Sequence, residues 1–160
     1  YNLGALLMNT HHTTPPTPGA VITILEELAV ELRGKNVTII GTGALVGKPL
    51  AIILMNKGAS VTTCNSKTKN IKEKCLAADI IVTGVGKKDL LRDDMVSAGA
   101  IVIDTGIAFE NGKVYGDVNV AEVAEKAAFV TPTPGGVGPI TVALLLWNTV
   151  LCAEKKNQES

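Results

Sequence analysis

Two rhythms of apolar residues alternate along the chain. Val21, Leu25, Leu28 and Leu32 recur at spacings of four, three and four, with Glu26, Glu27 and Glu31 off the stripe. That period predicts an amphipathic helix, with Thr17 as its N-cap, Pro18 in its first position and an end near Gly34. Residues 36–40, NVTII, are uncharged and β-branched and predict a strand that runs into GTGALVG. A helical pattern over residues 46–55 follows and stops at Asn56-Lys57-Gly58, where glycine suits the position after the C-cap. The alternation then repeats. Strands are expected at 60–64, 79–83, 100–104 and 129–131, and helical segments at 69–77, 93–98 and 121–127. The last apolar run, ITVALLLWNTV, reads as a helix.

Strands that are apolar throughout and separated by helices are the mark of a parallel sheet covered on both faces. The expected fold is therefore a doubly wound parallel α/β domain of the Rossmann type, with five or six short strands. A chain of 160 residues suffices for one such core. Residues 1–14 lack periodicity and read as a linker or hinge, residues 15–152 as the domain, and residues 153–160 as a polar tail that frays. The first residue is tyrosine and not methionine, which points to a piece of a longer protein with a domain upstream.

Composition narrows the partners. Fifteen Lys and Arg balance fifteen Asp and Glu, and 3% of residues are aromatic. Neither the charge nor the stacking surface that nucleic acid requires is available. The longest unbroken apolar runs fall short of the roughly 20 residues of a membrane span, so neither a membrane nor a nucleic acid is an expected partner. Cys64, Cys75 and Cys152 are odd in number and lack CxxC spacing. They read as reduced thiols of a cytoplasmic protein. His11 and His12 are adjacent without a third ligand, so no metal is expected and both read as surface residues.

The candidate chemistry lies in GTGALVG. Gly41, Gly43 and Gly47 fall between a predicted strand and a predicted helix. In a dinucleotide-binding turn the first glycine permits the tight turn, the second admits the pyrophosphate and the third lets the helix pack close to the strand. The helix N-terminus adds N–H groups and a partial positive charge. Folds that take NAD carry an acidic residue after the second strand. Here that place holds Asn65-Ser66-Lys67-Thr68, and no acidic residue occurs from Gly41 to Lys72. Ser66, Lys67 and Thr68 therefore suit a 2′-phosphate, and NADP is the expected cofactor, with NAD as the alternative. Thr83-Gly84-Val85-Gly86-Lys87 and Asp104-Thr105-Gly106-Ile107 follow other strands, where backbone either approaches the ligand or simply turns. TPTPGGVGPIT sits after the last strand, and its prolines and glycines make a stiff loop that a ligand can approach closely. On the helix beyond, Thr141 and Asn148 form a polar stripe that suits a face turned to a ligand or a partner domain, or else a threonine satisfied within the core.

PGGVGPIT closely resembles PGGVGPMT of the bifunctional methylenetetrahydrofolate dehydrogenase/cyclohydrolase family. PPTPGAV, GTGALVGKPL, NSKT, ADIIVTGVGK, GAIVIDTGI and GKVYGDV are similar to its other landmarks, in order, over residues 1–152. The resemblance implies NADP-dependent oxidation of 5,10-methylenetetrahydrofolate to the 5,10-methenyl form, then hydrolysis to 10-formyltetrahydrofolate. It implies cofactor contacts from Gly41, Thr42, Gly43, Ser66, Gly84, Val85, Gly86, Ile107 and Thr141, and folate contacts from Gly138 and Pro139. It also implies a homodimer. The family's catalytic lysine, in Tyr-x-x-x-Lys, and its Asp-x-Asp-Gly segment belong to an N-terminal domain, and neither motif occurs here. No catalytic residue is therefore assigned to this chain, which is expected to be inactive alone and to share its folate with that missing domain. Thr42 and Asn65 stand where many members have arginine and histidine, which weakens the 2′-phosphate site. Two other readings are a shikimate-dehydrogenase-like NADP oxidoreductase, disfavoured by PGGVGP, and a dinucleotide-binding module that is not catalytic.

Overall fold

The computed structural model describes residues 2–158. Five parallel strands form one sheet in the order β2-β1-β3-β4-β7: β1 (Asn36–Ile40), β2 (Ser60–Cys64), β3 (Ile80–Thr83), β4 (Ile101–Asp104) and β7 (Phe129–Val130). The chain leaves β1 outward to β2, then returns across β1 to β3. The connections after β1 and β3 thus part at a topological switch point, where open α/β sheets bind ligands. An antiparallel hairpin, β5 (Ala108–Glu110) and β6 (Lys113–Tyr115), follows β4.

Side-chain alternation along the strands feeds two cores. Val37, Ile39, Ile80, Val82 and Ile103 face one layer, built from α1 (Asn2–Leu7), α2 (Pro16–Glu27), α3 (Gly47–Asn56) and the start of α6 (Val137–Gln158). Ile40, Ile81 and Val102 face the other, with Cys75 of α4 (Ile71–Leu76), Val96 and Val123 of α5 (Val120–Val123). Gly19 brings α2 close to α6, since a Cβ there would lie 3.1 Å from Leu144.

The helices differ from the periodic reading mainly at their ends. α2 stops at Glu27, seven residues before Gly34, because Ala29 adopts a left-handed φ of 53° and the Val30 N–H reaches back to the Leu25 carbonyl. Leu32 then enters the core from a loop. Pro15, not Thr17, occupies the N-cap of α2. α3 closes as expected at Gly58, φ 85°, with Ala59 N–H bonded to the Leu54 carbonyl. Residues 1–14, expected as a linker, contain α1, whose Leu6 is fully buried. The polar tail expected to fray continues α6 to Gln158, with Lys155 and Lys156 in the last turn, where cations complement the helix dipole.

An 18-residue window of α6 has a mean hydropathy of 1.5, so by length and composition alone this helix is long and apolar enough to cross a membrane, although its unbroken apolar runs are short. One side packs on α2. The other leaves Val142, Leu145, Leu146, Trp147 and Val150 exposed.

Candidate functional site

Five loops leave the C-terminal edge of the sheet in strand order: residues 65–68 after β2, 41–46 after β1, 84–87 after β3, 105–107 after β4 and 131–136 after β7. Strands spaced about 4.8 Å apart spread these loops over roughly 19 Å. Only an extended ligand touches all of them.

At the centre, the three glycines of GTGALVG have separable reasons. Gly41 has φ 119°, and a Cβ on it would lie 2.6 Å from the Gly84 carbonyl oxygen. No other residue type fits there without moving the loop after β3. Gly47 opens α3, and a Cβ there would overlap the Gly41 carbonyl oxygen. Gly43 has no atom within 4 Å of where its Cβ would stand. Its missing side chain serves nothing within the folded chain and leaves room for a ligand. No side chain caps the N-terminus of α3, and its first turn carries no acidic residue. An anion laid over Gly43 meets this helix end unopposed.

On the β2 side, Asn65 organises a tight turn. Its N–H donates to Thr68 Oγ1 at 2.9 Å, and its Oδ1 accepts from the Lys67 N–H at 2.9 Å. Ser66 and Lys67 are left exposed at the crest. Thr68 gives one lone pair to this turn and keeps its hydroxyl hydrogen for a phosphate oxygen. Thr42 lies beside them, half-buried.

On the other side, backbone and carboxylates interlock. Asp104, at the end of β4, is buried and accepts the Thr83 hydroxyl at 2.8 Å, the Gly106 N–H at 2.8 Å and the Val118 N–H at 3.0 Å. Burial pushes its carboxyl above the ordinary range, and these donors pull it back. Asp117, fully buried, accepts the N–H groups of Val85 and Lys87, both at 2.6 Å. The two units are cross-packed: a Cβ on Gly106 would overlap the Asp117 carboxylate, and one on Gly116 would overlap Asp104.

A cavity of about 480 Å³ opens beside this network, lined by residues 104–107, 132–139, Thr17, Val114, Thr141 and Val142. Gly138, Pro139, Ile107 and Thr141 thus share one cavity. Thr141 donates its hydroxyl to the Val137 carbonyl at 3.1 Å, so toward a ligand it serves as an acceptor. Leu45, Val85 and Ile107, 85%, 51% and 57% exposed, give the edge an apolar surface. Asp104 is the sole ionisable group in the cavity lining, and its oxygens are already engaged. Among the described residues the cavity lining offers no free acid or base.

Some expectations change. Asn148 faces inward, donating to the Thr14 carbonyl at 2.7 Å, so of the stripe it shares with Thr141 only Thr141 lines the cavity. His12 is exposed, whereas His11 is half-buried, with Nδ1 shut from solvent and unpartnered. Among the described residues no group of three His, Cys, Asp or Glu side chains is placed to hold a metal ion. Sequence reasoning overlooked Asp117 and the β5–β6 hairpin that carries it back to the edge. The overlooked signal was Asn111-Gly112, both at positive φ (51° and 74°), a pair that favours the tight turn of a two-residue hairpin.

The family model for the tetrahydrofolate dehydrogenase/cyclohydrolase NAD(P)-binding domain matches residues 15–157. The bifunctional protein FolD of Aliarcobacter butzleri is 47% identical over 159 residues, which cover 99% of this chain and 55% of that protein. FolD of Methanosarcina mazei is 46% identical, covering 97% and 54%. Among solved structures, the Campylobacter jejuni bifunctional methylenetetrahydrofolate dehydrogenase/cyclohydrolase superposes with a TM-score of 0.92 at 43% identity, covering 96% of this chain and 55% of that one. The Trypanosoma brucei enzyme, complexed with NADP cofactor and an inhibitor, gives 0.91 at 36% identity, covering 97% and 56%.

Proposed function

Because this chain belongs to the tetrahydrofolate dehydrogenase/cyclohydrolase family, as its NAD(P)-binding domain, we propose that it is the cofactor-binding part of a cytoplasmic enzyme that oxidises 5,10-methylenetetrahydrofolate with NADP. The same enzyme then hydrolyses the 5,10-methenyl product to 10-formyltetrahydrofolate. The chain spans about 55% of the length of the curated relatives it matches, and the catalytic lysine is assigned to the remainder. The chain alone binds cofactor and does not turn over. Its domain comprises residues 15–152.

The observation that carries this reading is the glycine turn. Gly41 and Gly47 are required by packing, whereas Gly43 is required only if something outside the chain approaches it. A pyrophosphate over Gly43 places the adenosine half toward Ser66, Lys67 and Thr68 and the nicotinamide half over Gly84, Val85, Gly86 and Ile107. The cavity at Gly138 and Pro139 then receives the folate, with Thr141 accepting from the nicotinamide carboxamide. Hydride transfer needs the donor carbon and the nicotinamide ring held face to face. The stiff Pro/Gly loop supplies that orientation, and the cofactor supplies the chemistry when bound.

The exposed apolar side of α6, together with Leu3, Leu7 and Met8 at the other end of the chain, is the surface on which the folate-binding remainder packs. Homodimerisation belongs to that complete protein. Calorimetric titration of the chain with NADPH and NADH tests the reading. NADPH should bind at least about tenfold tighter, ~1.4 kcal/mol. Equal affinities refute the 2′-phosphate site, and no binding of either refutes the cofactor site in this chain.

A further inference from the structure

A buried carboxylate is costly unless donors meet its lone pairs, and Asp117 meets its own in an unusual way. It lies between the loops after β3 and β4 and belongs to neither. Val85 N–H donates to Oδ2 and Lys87 N–H to Oδ1, from residues 32 and 30 positions away in sequence. On its other flank Gly106 lies so close that a Cβ there would overlap the carboxylate.

The consequence reaches past Asp117 through the peptide planes. In a trans peptide the N–H and C=O point to opposite sides, and the cis bond among the described residues is Thr133–Pro134. Holding the Val85 N–H on Asp117 therefore turns the Gly84 carbonyl away from it. That oxygen is the atom which a Cβ on Gly41 would meet at 2.6 Å. Gly86, φ 78°, abuts the Ile107 carbonyl, at 3.0 Å from where its Cβ would stand. Three loops thus take their relative register from one side chain.

We infer that Asp117 is a positioning residue for the bound dinucleotide. It seats the loop after β3 against the glycine turn on one side and the loop after β4 on the other, and so shapes the half of the cleft that takes the nicotinamide riboside. It does not touch the ligand, because its carboxylate is buried and spent on amides. This inference rests on reading the edge as a dinucleotide site.

Asp117→Asn keeps the size of the side chain but turns one acceptor into an NH₂ that faces a backbone N–H. The test titrates the 160-residue chain and the variant with NADPH and with 2′,5′-ADP, which carries only the adenosine half and its 2′-phosphate. NADPH should bind the variant about tenfold or more weakly, while 2′,5′-ADP should stay within about twofold, as expected for a distant site. Equal losses for the two ligands, or no loss for either, overturn the role of Asp117. A wild-type chain that binds neither overturns the dinucleotide reading as well. If the variant does not fold, amide NMR of the wild type decides. The Val85 and Lys87 N–H signals should move on adding NADPH and stay in place with 2′,5′-ADP, and signals indifferent to NADPH overturn the inference.

Discussion

One methyl group added at Gly43 and one at Gly47 should have opposite effects, although the two residues share a turn. At Gly43 the new Cβ meets nothing within 4 Å, and φ lies outside the region that only glycine tolerates. Gly43→Ala should therefore hold stability within about 0.5 kcal/mol. At Gly47 the new Cβ runs into the Gly41 carbonyl oxygen, with Thr42 Cα 3.2 Å away, and both are backbone atoms that cannot swing aside. Overpacking of this kind costs about 1–3 kcal/mol. For a chain of this size that lowers Tm by roughly 2–12 °C. Binding inverts the order of effects. If a pyrophosphate rests on Gly43, its methyl group occupies the ligand's place, and NADPH affinity should fall at least about tenfold, ~1.4 kcal/mol. Paired thermal melts and NADPH titrations on the two variants make the measurement. A Gly43→Ala chain that binds NADPH like wild type would refute the placement of the phosphates. A Gly47→Ala chain that melts like wild type would refute the packing argument.

Three further outcomes concern the cysteines and the buried Asp104. Burial holds Cys75 up at about 12 and also raises Cys64, while Cys152 is exposed. At pH 8 roughly one Cys75 in ten thousand is thiolate, so a thiol reagent should label Cys152 quickly and the other two only after unfolding; prompt labelling of all three would contradict the burial. Because the folded value of Cys75 lies above the unfolded value near 9, its contribution to stability is complete below pH 9. It is lost as the pH climbs toward 12, and urea midpoints should decline over that window. Asp104 is likewise raised above 3.8 by burial. It favours the fold most below pH 3.8, and that contribution is withdrawn as pH rises through its folded value. Carboxyl ¹³C NMR should give a midpoint above 3.8, and a midpoint at or below 3.8 would mean that the Thr83, Gly106 and Val118 donors outweigh desolvation.

Local pattern went far in this chain. β1 and β2 occupy the residues where uncharged, β-branched runs placed them, although β1 is largely buried and β2, at the sheet edge, is mostly exposed, since branched side chains suit a pleated strand in either setting. The glycine spacing and the absence of acid after β2 were equally legible, because backbone freedom and charge belong to single residues. What local pattern missed lay at element ends and in long-range pairs. The end of α2 depends on Ala29 taking a conformation that glycine usually supplies, and α1 depends on Leu6 finding the core. The hairpin was readable from Asn111-Gly112 but was hidden by the brevity of its strands.

The sequence by itself determined the parallel sheet covered on both faces and the class of cofactor to expect, since each follows from periodicity, glycine and charge along short windows. Only the tertiary structure decided that Gly43 is free while Gly47 is not, that Asn148 faces inward, and that Asp117 clamps amides some thirty residues away. Those facts depend on which side chains and backbone groups the crossovers bring within 3 Å of each other. A linear pattern carries no record of such distances.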